Sequence, residues 1–223
     1  MLLSELIYDI KNLRAGGLQS DDEDISDAQY AFIINGYRAK LLKQEQSKNK
    51  MLPTSFLQSL GKVKLVLSTE CCDGVCALRT EKKLPKTIES RGLTDGFVYV
   101  GTYGGELTFQ NTSFESKGWN KYAKYTGNKT KWYAKDDYIY IEDAPGMLSF
   151  IELRGVFEDP LIAEEFRTCE CKDNEEDCLV GYDFKYPLPL YMRDTIFKLI
   201  MDSEFRMSVS LPPDTTNDST DNN

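Results

Sequence analysis

The sequence predicts an α+β fold: an N-terminal αα-hairpin and a C-terminal helix packed beside an antiparallel β-sandwich or small barrel. Three observations carry that prediction. Apolar residues recur at three- and four-residue spacing up to about residue 46. From about residue 61 the period drops to two, and glycine-bearing turns separate short runs. A helical period returns near Pro189 and is stopped by Pro212-Pro213. With 223 residues, 41% of them hydrophobic and 28% charged, the chain is long and apolar enough to bury a substantial core.

The first helix is expected over 2–14, where Leu2, Leu3, Leu6, Ile7, Ile10 and Leu13 form one stripe and Gly16-Gly17 ends it. An acidic loop follows. Ser26 then has the character of a helix cap, with Gln29 completing a capping box. The second helix runs to about Gln46, with Tyr30, Ile33, Ile34, Tyr37, Leu41 and Leu42 as its apolar positions. Lysines toward its far end suit the negative pole of the helix dipole. Strands are expected at 63–68, 75–80, 97–102, 106–110, 132–136, 138–142 and 148–157. Gly104-Gly105, Gly127-Asn128 and Pro145-Gly146 supply turns between them. A short helix is expected at 158–166 with Pro160 near its start. The last helix runs from near Pro189 to about Ser210, with Leu190, Ile196, Leu199, Ile200 and Phe205 on its apolar face. The chain divides accordingly into a helical hairpin (1–53), a β domain (61–157), a C-terminal helical region (158–211) and an acidic tail (212–223) that is expected to be flexible alone.

The net charge of −9 argues against general nucleic-acid binding, which needs a basic footprint. It is compatible with a negatively lined conduit along which DNA slides without adhering. The opening MLLSELIYDI places Glu5 and Asp9 inside the early apolar run, unlike a secretion signal, and no window approaches a membrane span. A cytoplasmic origin with initially reduced cysteines follows as the expectation. The absence of histidine removes Ser-His-Asp and Cys-His catalysis and every histidine-bound metal. GTYGGE lacks the Lys-Ser/Thr of a phosphate loop and has the composition of a hairpin turn. A pair of carboxylates could hydrolyse glycosides, but with 36 acidic residues no pair stands out. The expectation is a non-enzyme that needs no cofactor.

Six cysteines form two clusters, Cys71, Cys72 and Cys76, then Cys169, Cys171 and Cys178. They are weak zinc candidates because the spacing is not that of paired knuckles; disulfides and unlinked thiols are the other readings. In 117–135, six lysines interleave with Trp119, Tyr122, Tyr125, Trp132 and Tyr133. Such a stretch can stack single-stranded nucleic acid, meet an acidic protein face, or form an ordinary hairpin with lysine on its wet side. Candidate interface residues drawn from the helices, this stretch and the tail are Tyr30, Tyr37, Trp119, Tyr122, Trp132, Phe205, Asp214 and Asn217.

Several segments, in order along nearly the whole chain, resemble structural proteins of crAss-like bacteriophages. They are IYDIKNLRAGG, SDDEDISDAQYAFIINGYRAKLLKQE, CCDGVCALRTEKKLPKTI, GVFEDP and PLPLYMRDTIFKLIMDSEF with the ending PPDTTNDSTDNN. The resemblance implies a head–tail connector or tail ring protein: a homo-dodecameric ring in the virion, assembled in the bacterial host cytoplasm. It implies contacts with the portal protein and neighbouring tail proteins, and DNA passing through without sequence recognition. It brings no catalytic residues with it. A tail hub, a decorating protein or a carbohydrate-directed β domain are the alternatives.

Overall fold

In the structure, a computed structural model, the described residues are 1–16, 25–47, 53–68, 77–88, 96–113, 115, 122, 129–142, 148–170 and 181–205. Four α-helices are found among them: α1 (Leu3–Arg14), α2 (Asp27–Ser47), α3 (Pro160–Glu170) and α4 (Arg193–Ile200). Seven strands lie among them: β1 (Gln58–Leu67), β2 (Leu78–Thr80), β3 (Phe97–Thr102), β4 (Gln110–Asn111), β5 (Lys131–Lys135), β6 (Tyr138–Glu142) and β7 (Phe150–Gly155). The α+β class is therefore as the periodicities predict.

The helix starts are fixed by local polar groups. At α2, the Ser26 amide donates to Gln29 Oε1 at 2.9 Å and the Gln29 amide donates to Ser26 Oγ at 3.3 Å, the reciprocal pair of a capping box. At α1, Leu2 has no side-chain acceptor, so only the return half forms: its amide donates to Glu5 Oε2 at 2.8 Å. The remaining orphan donors find a distant segment. The amides of Leu3 and Ser4 donate to the carbonyls of Phe184 and Tyr182, and the Tyr186 amide donates to the Met1 carbonyl. Residues 182–186 are thereby stitched to the start of the chain. At α3, Asp159 Oδ1 accepts the Leu161 amide at 2.9 Å ahead of Pro160 in the first turn. A 3-10 turn at Leu190–Met192 leads into α4, and a π turn at Met201–Phe205 continues it.

The strands form one sheet in the order β3-β7-β1-β2-β6-β5-β4. Its two ends nearly meet. The segment before β4 bridges β3 (Gly101 opposite Thr108), with the Phe109 amide donating to the Val100 carbonyl at 2.8 Å. The sheet is thus a nearly closed barrel, and its edges are largely removed. Gly101 permits the closure, because a Cβ there would collide with the Leu107 carbonyl and the Tyr99 ring. One expectation is corrected: the sheet is mixed, not antiparallel, since β4 runs parallel to β5 (Gln110 opposite Lys131). Parallel neighbours need a long connection, and residues 112–130 supply one in place of a hairpin turn. The strand expected over 106–110 also divides: most of it follows β3, and only Gln110 enters β4.

Two hydrophobic cores result. The helical core joins both ends of the chain, with Leu3, Leu6 and Ile10 of α1, Tyr30 and Ile34 of α2, and Ile196 and Ile200 of α4. The barrel core holds Leu60, Val63, Val100, Trp132, Ile139, Ile151 and Leu153, with Phe97 set edge-on to both Trp132 and Phe157. On the far side of β5 and β6, Tyr133 and Tyr140 stack at 5.2 Å, directly opposite in register. Ala163 of α3 enters the barrel core, and the α3 side chain Arg167 lies against Gly61 of β1. Gly61 has φ +74° at a one-residue bulge, where Ser59–Lys62 spans the same partner length as Arg154–Glu152.

Candidate interaction surfaces

The most constrained polar site joins the two cores. Arg38 of α2 is fully buried. Its Nε donates to the Pro187 carbonyl at 3.1 Å and Nη1 to the Phe157 carbonyl at 2.9 Å. Its guanidinium lies 5.8 Å from the Tyr186 ring centroid. The Tyr186 hydroxyl donates to Asn35 Oδ1 at 2.7 Å, and Asn35 Nδ2 donates to Asp159 Oδ1 at 3.0 Å. Burial pulls the Arg38 pKa below its ordinary value, against the electrostatic support of the Tyr186 oxygen and the Asp159 carboxylate. Burial likewise pushes the Tyr186 phenol well up. This network ties α2, the cap of α3, the end of β7 and the 184–188 segment together. It is a structural clasp in which Arg38 and Tyr186 are buried while Asn35 and Asp159 are partly exposed.

A cleft of about 540 Å³ opens where Lys43 and Lys86 approach the β5–β6 turn. Lys135, Asp136, Asp137 and Glu158 also line it, so cations and carboxylates are balanced and favour no class of charged ligand.

The outer surfaces are more informative. Tyr8 and Leu13 of α1, Leu190 and Tyr191 before α4, and Phe32 of α2 are exposed large apolar side chains. Two adjoining hollows of about 760 and 450 Å³ run between α1 and α4, sharing Asp9 and Arg193, which are ion-paired. On the barrel, Tyr103, Leu107 and Phe150 are exposed together. Lys62 Nζ lies 5.2 Å from the Tyr103 ring and 5.1 Å from the Phe150 ring. Contiguous exposed apolar groups of this kind mark contact surfaces.

The structure distributes the sequence candidates unevenly. Tyr30, Trp132 and Phe205 are core residues: Tyr30 packs on Phe205 at 6.1 Å and Trp132 lies inside the barrel. Tyr37 is half-buried, its hydroxyl donating to Glu204 Oε1 at 2.7 Å and touching Ser203. Tyr122 is highly exposed. Trp119, Asp214 and Asn217 lie outside the described residues, as do Cys71, Cys72, Cys76, Cys171 and Cys178. Cys169 falls in α3, and its side chain is outside the description. Leu190, expected on the apolar face of the last helix, instead projects to solvent. Arg38 escaped the sequence reading, although it sits on the stripe Tyr30, Ile34, Arg38, Leu42; a charge at a core spacing is the signal that finds it.

Two cores, a clasp that joins them, and exposed apolar surfaces on both parts are the make-up of a structural subunit that completes its burial in an assembly. Residues 5–223 match the family model described as phage tail ring protein 2, and the chain belongs to that family. The resemblance to crAss-like phage structural proteins is met by this match and narrowed to a tail ring protein. The chain is thus a structural virion component of a phage tail that assembles with other virion proteins. No curated protein sequence matches it significantly. Among the described residues, no helix is long and apolar enough to cross a membrane.

Proposed function

We propose that the chain forms a closed homo-dodecameric ring in the head–tail connector, stacked beneath the portal protein and against neighbouring ring or tail proteins, with phage DNA passing through its centre. The observation that carries this reading is the family match across residues 5–223. A net charge of −9 supports it, because an acidic conduit does not hold DNA during ejection. A ring requires heterologous contacts that close by rotation. Residues 2–46 and 189–223 supply most of the contacts within the ring and to neighbouring rings together; the exposure of Tyr8, Leu13, Phe32, Leu190 and Tyr191 in those segments supports this. The role is structural and does not call on catalysis or a cofactor.

The test is electron microscopy of purified particles labelled with an antibody against this chain. Label at the head–tail junction, at many copies per particle, is the expected result. Label confined to the distal tail or the capsid surface would refute the connector position.

A further inference from the structure

We infer that neighbouring copies of this chain dock head to tail, the α1/α4 groove around Glu5, Tyr8 and Asp194 of one copy receiving the Lys62–Tyr103–Phe150 patch of the next. The inference rests on the ring reading above and assigns it a pair of surfaces.

The two surfaces lie on different parts of the subunit, the groove on the helices and the patch on the barrel. β1 and β7 are anchored to the helical part at one end, where Gln58 Nε2 donates to the Pro160 carbonyl at 3.2 Å and Gly155 leads into Val156 of the helical core. Phe150 and its register partner Lys64 are at the other end of the pair. Five residues of strand at about 3.3 Å each separate Gly155 from Phe150, roughly 17 Å.

Each surface combines exposed apolar area with unneutralised charge. In the groove, Tyr8 is 53% and Leu190 71% exposed, and Tyr191, next to Leu190 in sequence, is 67% exposed. Asp9 is ion-paired with Arg193, whereas Glu5 and Asp194 have no ion-pair partner among the described residues. On the patch, Tyr103 is 57% and Leu107 51% exposed. Lys62 there touches the two rings and no carboxylate among the described residues. Its neighbour Lys64 is paired with Glu81 at 3.0 Å. Groove on groove would set Glu5 and Asp194 against their own copies, and patch on patch would set Lys62 against Lys62. Both self-pairings are repulsive, whereas groove on patch joins acid to ammonium over apolar centres. A contact between unlike surfaces is also the kind that closes into a ring.

The experiment uses virions assembled with the full chain carrying a photo-crosslinking benzoylphenylalanine at position 103. The expected product is a crosslinked homodimer whose peptides join position 103 to α1 or to residues 190–194. A crosslink to another virion protein, or to any other part of this chain, overturns the inference. Charge variants give an independent readout. Lys62→Glu and Asp194→Lys should each lower the copies per particle by about fivefold or more, and the two together should restore them. Both sites are exposed, so unchanged thermal unfolding of the free variants is expected. Undiminished incorporation of both single variants overturns the pairing. If the wild-type chain is present at many copies and the crosslink maps elsewhere, the surface pair fails while the ring stands; absence of the wild-type chain from particles removes both.

Discussion

Arg38 spends a buried cation on two backbone carbonyls and an aromatic ring. Desolvation works against the charge, yet the carbonyls of Phe157 and Pro187 would be left without this donor. Arg38→Ala should therefore cost about 3 kcal/mol or more, because it opens a cavity as well. Arg38→Met, which keeps the volume, should cost about 1–2 kcal/mol. Urea unfolding midpoints at unchanged slope measure both; equal losses would mean that packing has little part in the site. Tyr186 makes a pH prediction. Burial, opposed by Arg38, raises its folded pKa above the ordinary 10.0. The unfolded chain then loses that proton first as pH rises. The associated stability is present below pH 10.0 and falls above it, by about 1.4 kcal/mol for each further pH unit until the folded phenol ionises. Tyr186→Phe should flatten this part of the stability–pH curve, read by unfolding at a series of pH values between neutral and strongly alkaline.

At the scale of elements, caps and turns set the boundaries. Ser26→Ala removes the oxygen that accepts the Gln29 amide and should destabilise the chain by about 1 kcal/mol, checked by thermal unfolding. The β5–β6 hairpin turns on Asp136 and Asp137, with φ of +54° and +66°, a conformation that glycine adopts without the steric cost borne by aspartate. Asp137→Gly should relieve that cost, offset in part by the larger entropy of the unfolded chain. A small gain in stability, on the order of 0.5 kcal/mol and read as a rise in Tm, is the expected outcome. A fall would show that the aspartate side chain stabilises the turn.

For the whole molecule, the two ends of the chain are one unit. Residues 182–186 donate to and accept from the first residues, and α4 packs in the helical core with α1 and α2. The polar tail at 212–223 follows this core in sequence. Deleting 212–223 should weaken incorporation into particles severalfold while the free chain keeps its unfolding midpoint. Normal incorporation of the deletion would show that ring contacts do without the tail.

What the sequence by itself determined is local: which segments are helical and which extended, though not their exact ends (β1 begins at Gln58 and β2 at Leu78, not at 63 and 75), the Ser26–Gln29 cap, the Gly104-Gly105 turn, and, through ordered motifs, the phage family. These follow from periods of 3.6 and 2 and from short-range hydrogen bonds, which neighbouring residues decide among themselves. Tertiary structure alone decided the parallel β4–β5 pair, since a two-residue period is the same for either strand direction. It also decided which aromatics are surface: Tyr30, Trp132 and Phe205 have the composition of contact residues but are consumed by the cores, whereas Leu190, apolar by pattern, faces outward. Burial depends on what other elements cover, and that is set by residues far apart in the chain. The same holds for Arg38, whose acceptors at 157 and 187 are 119 and 149 residues away. The groove and the barrel patch likewise exist only once both chain ends, and β1, β3 and β7, have been brought together.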